Sequence, residues 1–123
     1  MLVADGRLVI STPNRNDILF DLLPDEFPEF FYRVVHRWYF NVESLRICAE
    51  RAGFKLERVC FVHRFGMSNA FAWLRDRKPS GLARLSGIDI AADAFWKGYM
   101  EKSGKSDCLY KLLKPDFGAG SKE

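Results

Sequence analysis

No Gly-x-Gly-x-Gly cluster occurs anywhere in these 123 residues, and Gly118-Ala119-Gly120 has no strand signal before it and no helix signal after it. A glycine-rich cofactor cradle, in which the backbone must approach the ligand without a Cβ in the way, is therefore missing. The three cysteines, Cys48, Cys60 and Cys108, are far apart, with no Cys-x-x-Cys pair and no His/Cys cluster. That spacing argues against a zinc site and for reduced, packed thiols, as suits a reducing cytoplasm. No apolar run reaches the ~20 residues of a membrane span, and the N-terminus lacks the basic-then-apolar layout of a signal peptide. Nor is there a block of like charge. Nineteen Lys and Arg face sixteen Asp and Glu for a net charge of +3, and the signs alternate, so the charges read as a solvated surface rather than a nucleic-acid footprint.

What is present is enough for one folded domain. With 48% hydrophobic and 28% charged residues the chain is globular in composition, and eleven phenylalanines make it unusually aromatic for its size.

The opening stretch is the most organised. Asp5-Gly6 is a turn pair, Leu8-Val9-Ile10 is a short apolar strand within residues 5–10, and Thr12 before Pro13 stays extended. Ser11, Thr12, Asn14 and Arg15 follow the strand's carboxyl end, where open α/β sheets place their ligands. Residues 17–23 have helical spacing, stopped by Pro24. A turn-rich link then leads to Glu29–Phe40, which with Phe27 at its edge is the most aromatic segment: core, a lid over the sheet's carboxyl edge, or a lipid-facing surface. Asn41 caps a helix whose stripe is Leu45, Cys48, Ala49 and Ala52 and whose stop is Gly53. A β-rich run over 54–65 follows, putting His63 in mid-strand as a structural residue. Residues 67–104 read as a helical insert, broken at Lys78-Pro79-Ser80-Gly81 and resumed behind an Asp93 cap with Gly104 as its stop. A last strand is expected over 107–113, and 118–123 as a disordered tail.

The order of these pieces resembles the C-terminal half of a class I S-adenosylmethionine-dependent methyltransferase. The carriers are Gly6-Arg7-Leu8-Val9-Ile10-Ser11-Thr12-Pro13-Asn14-Arg15, the helix from Asn41-Val42-Glu43-Ser44-Leu45 to Ala52-Gly53-Phe54, and the strand after it. The resemblance implies an α/β fold: the C-terminal part of a Rossmann-like sheet, with a parallel strand-helix-strand unit and a final antiparallel strand, over residues 1–117. It is similar to the ubiquinone-biosynthesis-type O-methyltransferases, through Ser11-Thr12, Asn14-Arg15 and His36-Arg37-Trp38 followed by Phe40. By that resemblance His36 is the general base toward a small-molecule hydroxyl, and Asn14, Arg15, Arg33, Trp38 and Tyr39 bind the substrate. The cofactor would be S-adenosylmethionine, for which the chain carries an incomplete site. A sheet beginning at the family's fifth strand leaves one flank of Leu8-Val9-Ile10 unpaired. The sequence therefore predicts a truncated or split enzyme that self-associates or needs a missing N-terminal half. A non-catalytic module docking its 27–40 aromatics on a protein or membrane is the other expectation.

Overall fold

The structure, a computed structural model, describes residues 5–32, 38–80 and 85–116. His36, Arg33 and the 118–123 tail lie outside them. Three strands, β1 (Leu8–Pro13), β2 (Phe54–Val62) and β3 (Cys108–Pro115), form one sheet in the order β1-β3-β2. Five helices accompany them: α1 (Ile18–Leu22), α2 (Phe27–Phe31), α3 (Val42–Arg51), α4 (Met67–Asp76) and α5 (Ile90–Ser103).

The expected parallel pairing of the first two strands does not form. The last strand lies between them and pairs antiparallel with both, Ile10 opposite Lys111 and Val59 opposite Lys111. β1 and β2 thus point the same way without touching. The reason lies in side-chain distribution. β3 offers Leu109 and Leu113, fully buried, and half-buried Leu112, whereas β2 carries Lys55, Glu57 and Arg58, and β1 carries Ser11 and Thr12. The strand with the most deeply buried side chains takes the centre, and the two with more exposed ones tolerate the edges. β2 also has a register shift between Leu56 and Arg58, a bulge that blunts its open edge. β1 has no bulge, and Val9 is 63% exposed there.

Local signals set most helix ends. Asn41 accepts from the Ser44 amide at 2.8 Å while the Ser44 hydroxyl takes the Asn41 amide, a reciprocal cap. Gly53 (φ 85°) and Gly104 (φ 74°) adopt the left-handed conformation that closes α3 and α5. The α3 stripe is only half as expected: Leu45 and Ala49 are buried, Cys48 and Ala52 exposed. Two expectations change. Asp89, not Asp93, caps α5, accepting from the Ala92 amide at 2.8 Å. Asp93 instead reaches across to α4 and accepts from the Ser68 amide at 2.9 Å, supplying the cap that Gly66 has no side chain to give. β2 ends at Val62, so His63 stands just past the strand.

The aromatic segment is mostly core. Leu19, Leu23, Phe27, Phe31 and Trp73 form one buried cluster that joins α1, α2 and α4. Phe20 meets Phe27 edge-on at 4.9 Å, and Phe27 meets Trp73 edge-on at 5.4 Å. Among the described residues no helix is long and apolar enough to cross a membrane.

Candidate functional site

A cleft of about 350 Å³ opens between this aromatic corner and the carboxyl ends of β1 and β2. Pro13 contributes from β1, His63 to Phe65 from the exit of β2, Asp17 from the start of α1, and Trp96 from α5. Phe27, Phe30, Phe31 and Trp73 form the apolar side. Concave, mostly apolar space with a few convergent polar groups is the usual form of a small-molecule site.

Asp107, which leads into β3, ties the polar side together. Its carboxylate accepts from the Arg64 amide at 2.9 Å and from Arg64 Nε at 2.6 Å. Its own amide donates to His63 Nδ1 at 3.0 Å, and its carbonyl accepts from the Asn14 amide at 3.0 Å. The exits of β1 and β2 are thus both pinned to the entry of β3. Because His63 Nδ1 is an acceptor, the imidazole proton sits on Nε2. Burial lowers the His63 pKa below its usual value, against the opposing charges of Asp107 and Glu101, which favours the neutral ring.

Asp17 is the most perturbed acid. It is 4% exposed and caps α1 by accepting from the Leu19 amide at 2.9 Å. Burial, reinforced by the Asp107 charge and opposed by the Leu19 hydrogen bond and Arg64, lifts its pKa from 3.8 to about 7. A carboxyl in that range can give or take a proton near neutrality. At the α5 side, Trp96 Nε1 is buried and has no hydrogen-bond partner among the described residues. An unpaired buried N–H costs roughly 1–3 kcal/mol, so it is a donor that an acceptor on a bound molecule would satisfy.

The residues expected from the sequence are placed elsewhere. Asn14 is 1% exposed and fully engaged in the fold: Nδ2 donates to the carbonyls of Gly104 and Ser106, and Oδ1 accepts from the Asn16 amide. Arg15 is exposed and its amide bonds to the Phe40 carbonyl. Trp38 is 71% exposed. Tyr39 packs on Phe31 and Tyr32, with centroids 5.0 and 4.9 Å away. None of these four lines the cleft. Sequence reasoning missed Asp17, seen only as a helix start, and His63, seen as mid-strand. The rule that ligands gather beyond carboxyl strand ends, applied to β2 as it was to β1, points to His63 and Arg64.

The cofactor that the resemblance implies does not fit these residues. The glycine standing between a strand and a helix is Gly66, and the space its Cβ would occupy is filled by the Asp93 carboxylate, 2.4 Å away. That helix N-terminus already holds an anion of the protein's own. No family model, no curated protein and no solved structure matches the chain.

Proposed function

We propose that the chain is the substrate-side part of a Rossmann-like, S-adenosylmethionine-dependent methyltransferase: it takes a small molecule into the cleft and does not transfer a methyl group by itself. The observation that carries the reading is the position of the cleft, at the carboxyl ends of two strands that run the same way, with the last strand antiparallel to both. Aromatic side chains hold the apolar body of the molecule. Asp17 accepts a hydrogen bond from its polar group, and His63 Nε2–H and Trp96 Nε1–H supply donors. The outer edge of β1, which pairs with no other strand among the described residues, is where a further strand adds, from a complementary N-terminal half or a second copy. Three unpaired cysteines suit a reducing cytoplasm.

Calorimetric titration with S-adenosylhomocysteine tests the partial-enzyme reading. No heat of binding is expected from the chain alone, and binding is expected once a complementary N-terminal half is co-expressed. Tight binding by the chain alone overturns it. One observation favours the docking-module reading: Trp38 and Tyr32 remain exposed after Phe27 and Phe31 turn inward. Liposome flotation that Trp38→Asp abolishes would support that alternative.

A further inference from the structure

We infer that the cleft selects an organic cation, a protonated amine on an aromatic or apolar body, whose charge sits against Asp17 among Phe27, Phe30, Phe31 and Trp73. The inference rests on the cleft being the ligand site and names what it takes.

The charge inventory points this way. Two carboxylates, Asp17 and Asp107, line the cleft. Arg64 neutralises Asp107 through Nε at 2.6 Å, and its side chain is otherwise 63% exposed. His63 is neutral, and the charge it leans toward is that same Asp107, with Nδ1 to Oδ1 at 3.5 Å. Asp17 has no bonded counter-ion among the described residues: its hydrogen bond comes from the Leu19 backbone amide, and Arg64 acts on it only through space. With Asp17 ionised the inner cleft therefore carries one uncompensated negative charge, walled by rings. Aromatic faces attract a cation, and the attraction is strongest where water is excluded. A carboxylate ligand would meet two carboxylates here, and a neutral one would leave Asp17 unpaired. An oxygen elsewhere on the ligand could accept from Trp96 Nε1–H, a buried donor with no partner among the described residues.

Proton exchange gives this a signature. Burial keeps a proton on Asp17 up to about pH 7. A cation must displace it, so binding releases a proton below that pH and tightens as the pH rises through it. The charges facing Asp17 are Asp107 and Arg64.

Calorimetry on the full chain with 2-phenylethylamine and its neutral counterpart 2-phenylethanol, from pH 5.5 to 8, tests the inference. The expected result is an amine that binds about tenfold or more tighter than the alcohol at pH 8, with the preference shrinking toward pH 5.5. Asp17→Asn keeps the helix-capping oxygen and should lose the preference while still binding the alcohol. Equal affinities at every pH, or an undiminished preference in Asp17→Asn, overturn the cation inference and leave the cleft reading standing. If neither probe binds at millimolar concentration, both fall. Should Asp17→Asn not fold, the pH series on the parent chain decides alone.

Discussion

Lys111 gives the sharpest test of the energetics. It lies in the middle of β3, 1% exposed, with its ammonium donating to the Thr12 hydroxyl across the β1 ladder. No carboxylate bonds to it among the described residues. Burial pulls its pKa from 10.5 to about 8. Below pH 8 both the folded and the unfolded chain carry the charge, and the fold bears the full desolvation cost. From about 8 to 10.5 the folded lysine loses its proton before the unfolded one does, so the penalty fades and stability rises with pH. At 1.36 kcal/mol per pKa unit the shift corresponds to about 3 kcal/mol at neutral pH. Lys111→Met fills a similar volume without the charge and gives up one hydrogen bond worth about 1 kcal/mol. The variant should gain about 2 kcal/mol at pH 7, or several degrees in Tm for a domain of this size. Urea unfolding followed by tryptophan fluorescence at pH 7 and pH 10.5 provides the assay. The gain should be present at pH 7 and absent at pH 10.5, where only the lost hydrogen bond remains and the variant is about as stable as the parent or slightly less. A variant less stable at pH 7, or an equal gain at both pH values, would refute the desolvation argument.

Asp17→Asn should flatten the pH dependence of stability between about 4 and 7. The native carboxyl binds its proton more tightly than the unfolded one, so the parent loses stability as pH rises through that window. Above pH 7 the variant should be roughly 2–4 kcal/mol more stable, as measured by thermal unfolding in paired buffers. Phe27→Ala removes a ring that touches Phe20, Phe31 and Trp73 and should cost about 3–5 kcal/mol in urea unfolding. Arg77 ends α4 at φ 58°, where a side chain is strained, so Arg77→Gly should stabilise the chain by about 1 kcal/mol in the same assay. Gly66→Ala should push Asp93 off the Ser68 amide, costing about 1 kcal/mol as a lost cap, with faster hydrogen exchange at Ser68.

What could be read in advance follows from the range of the forces involved. Asn41, Gly53 and Gly104 mark helix ends through contacts within four residues of themselves, and each stands where its local chemistry puts it. The extended run before Pro13 and the alternation through β2 are equally local. Asp93 reads as the α5 cap on local grounds, but Asp89 takes that place, and a contact 25 residues away in sequence sets the role of Asp93, which serves α4. Strand order was beyond local reading altogether. Nothing near Cys108–Pro115 says that it will part β1 from β2, because that choice compares the burial of three strands at once.

The candidate site follows the same division. Its location beyond the carboxyl ends of strands was legible. Its membership was not, since Asp17, His63, Arg64 and Asp107 converge from three places in the chain, and the bonds that join Asp107 to His63 and Arg64 span more than forty residues. Asn14 shows the converse. A polar residue directly after a strand has the profile of a ligand contact, yet its amide is consumed by the Gly104 and Ser106 carbonyls, because the buried turn before β3 has backbone acceptors to satisfy.

The central claim is that the cleft at the carboxyl ends of β1 and β2 is where a small molecule binds. Titrating 2-phenylethanol into the 15N-labelled chain and following the amide resonances tests it most directly. The account predicts shifts concentrated at Asp17, Leu19, Arg64, Phe65, Asn69 and Asp107, with Lys55 to Val59 at the far end of β2 unmoved. Shifts centred on Trp38 and Tyr32, with the cleft amides still, would contradict it.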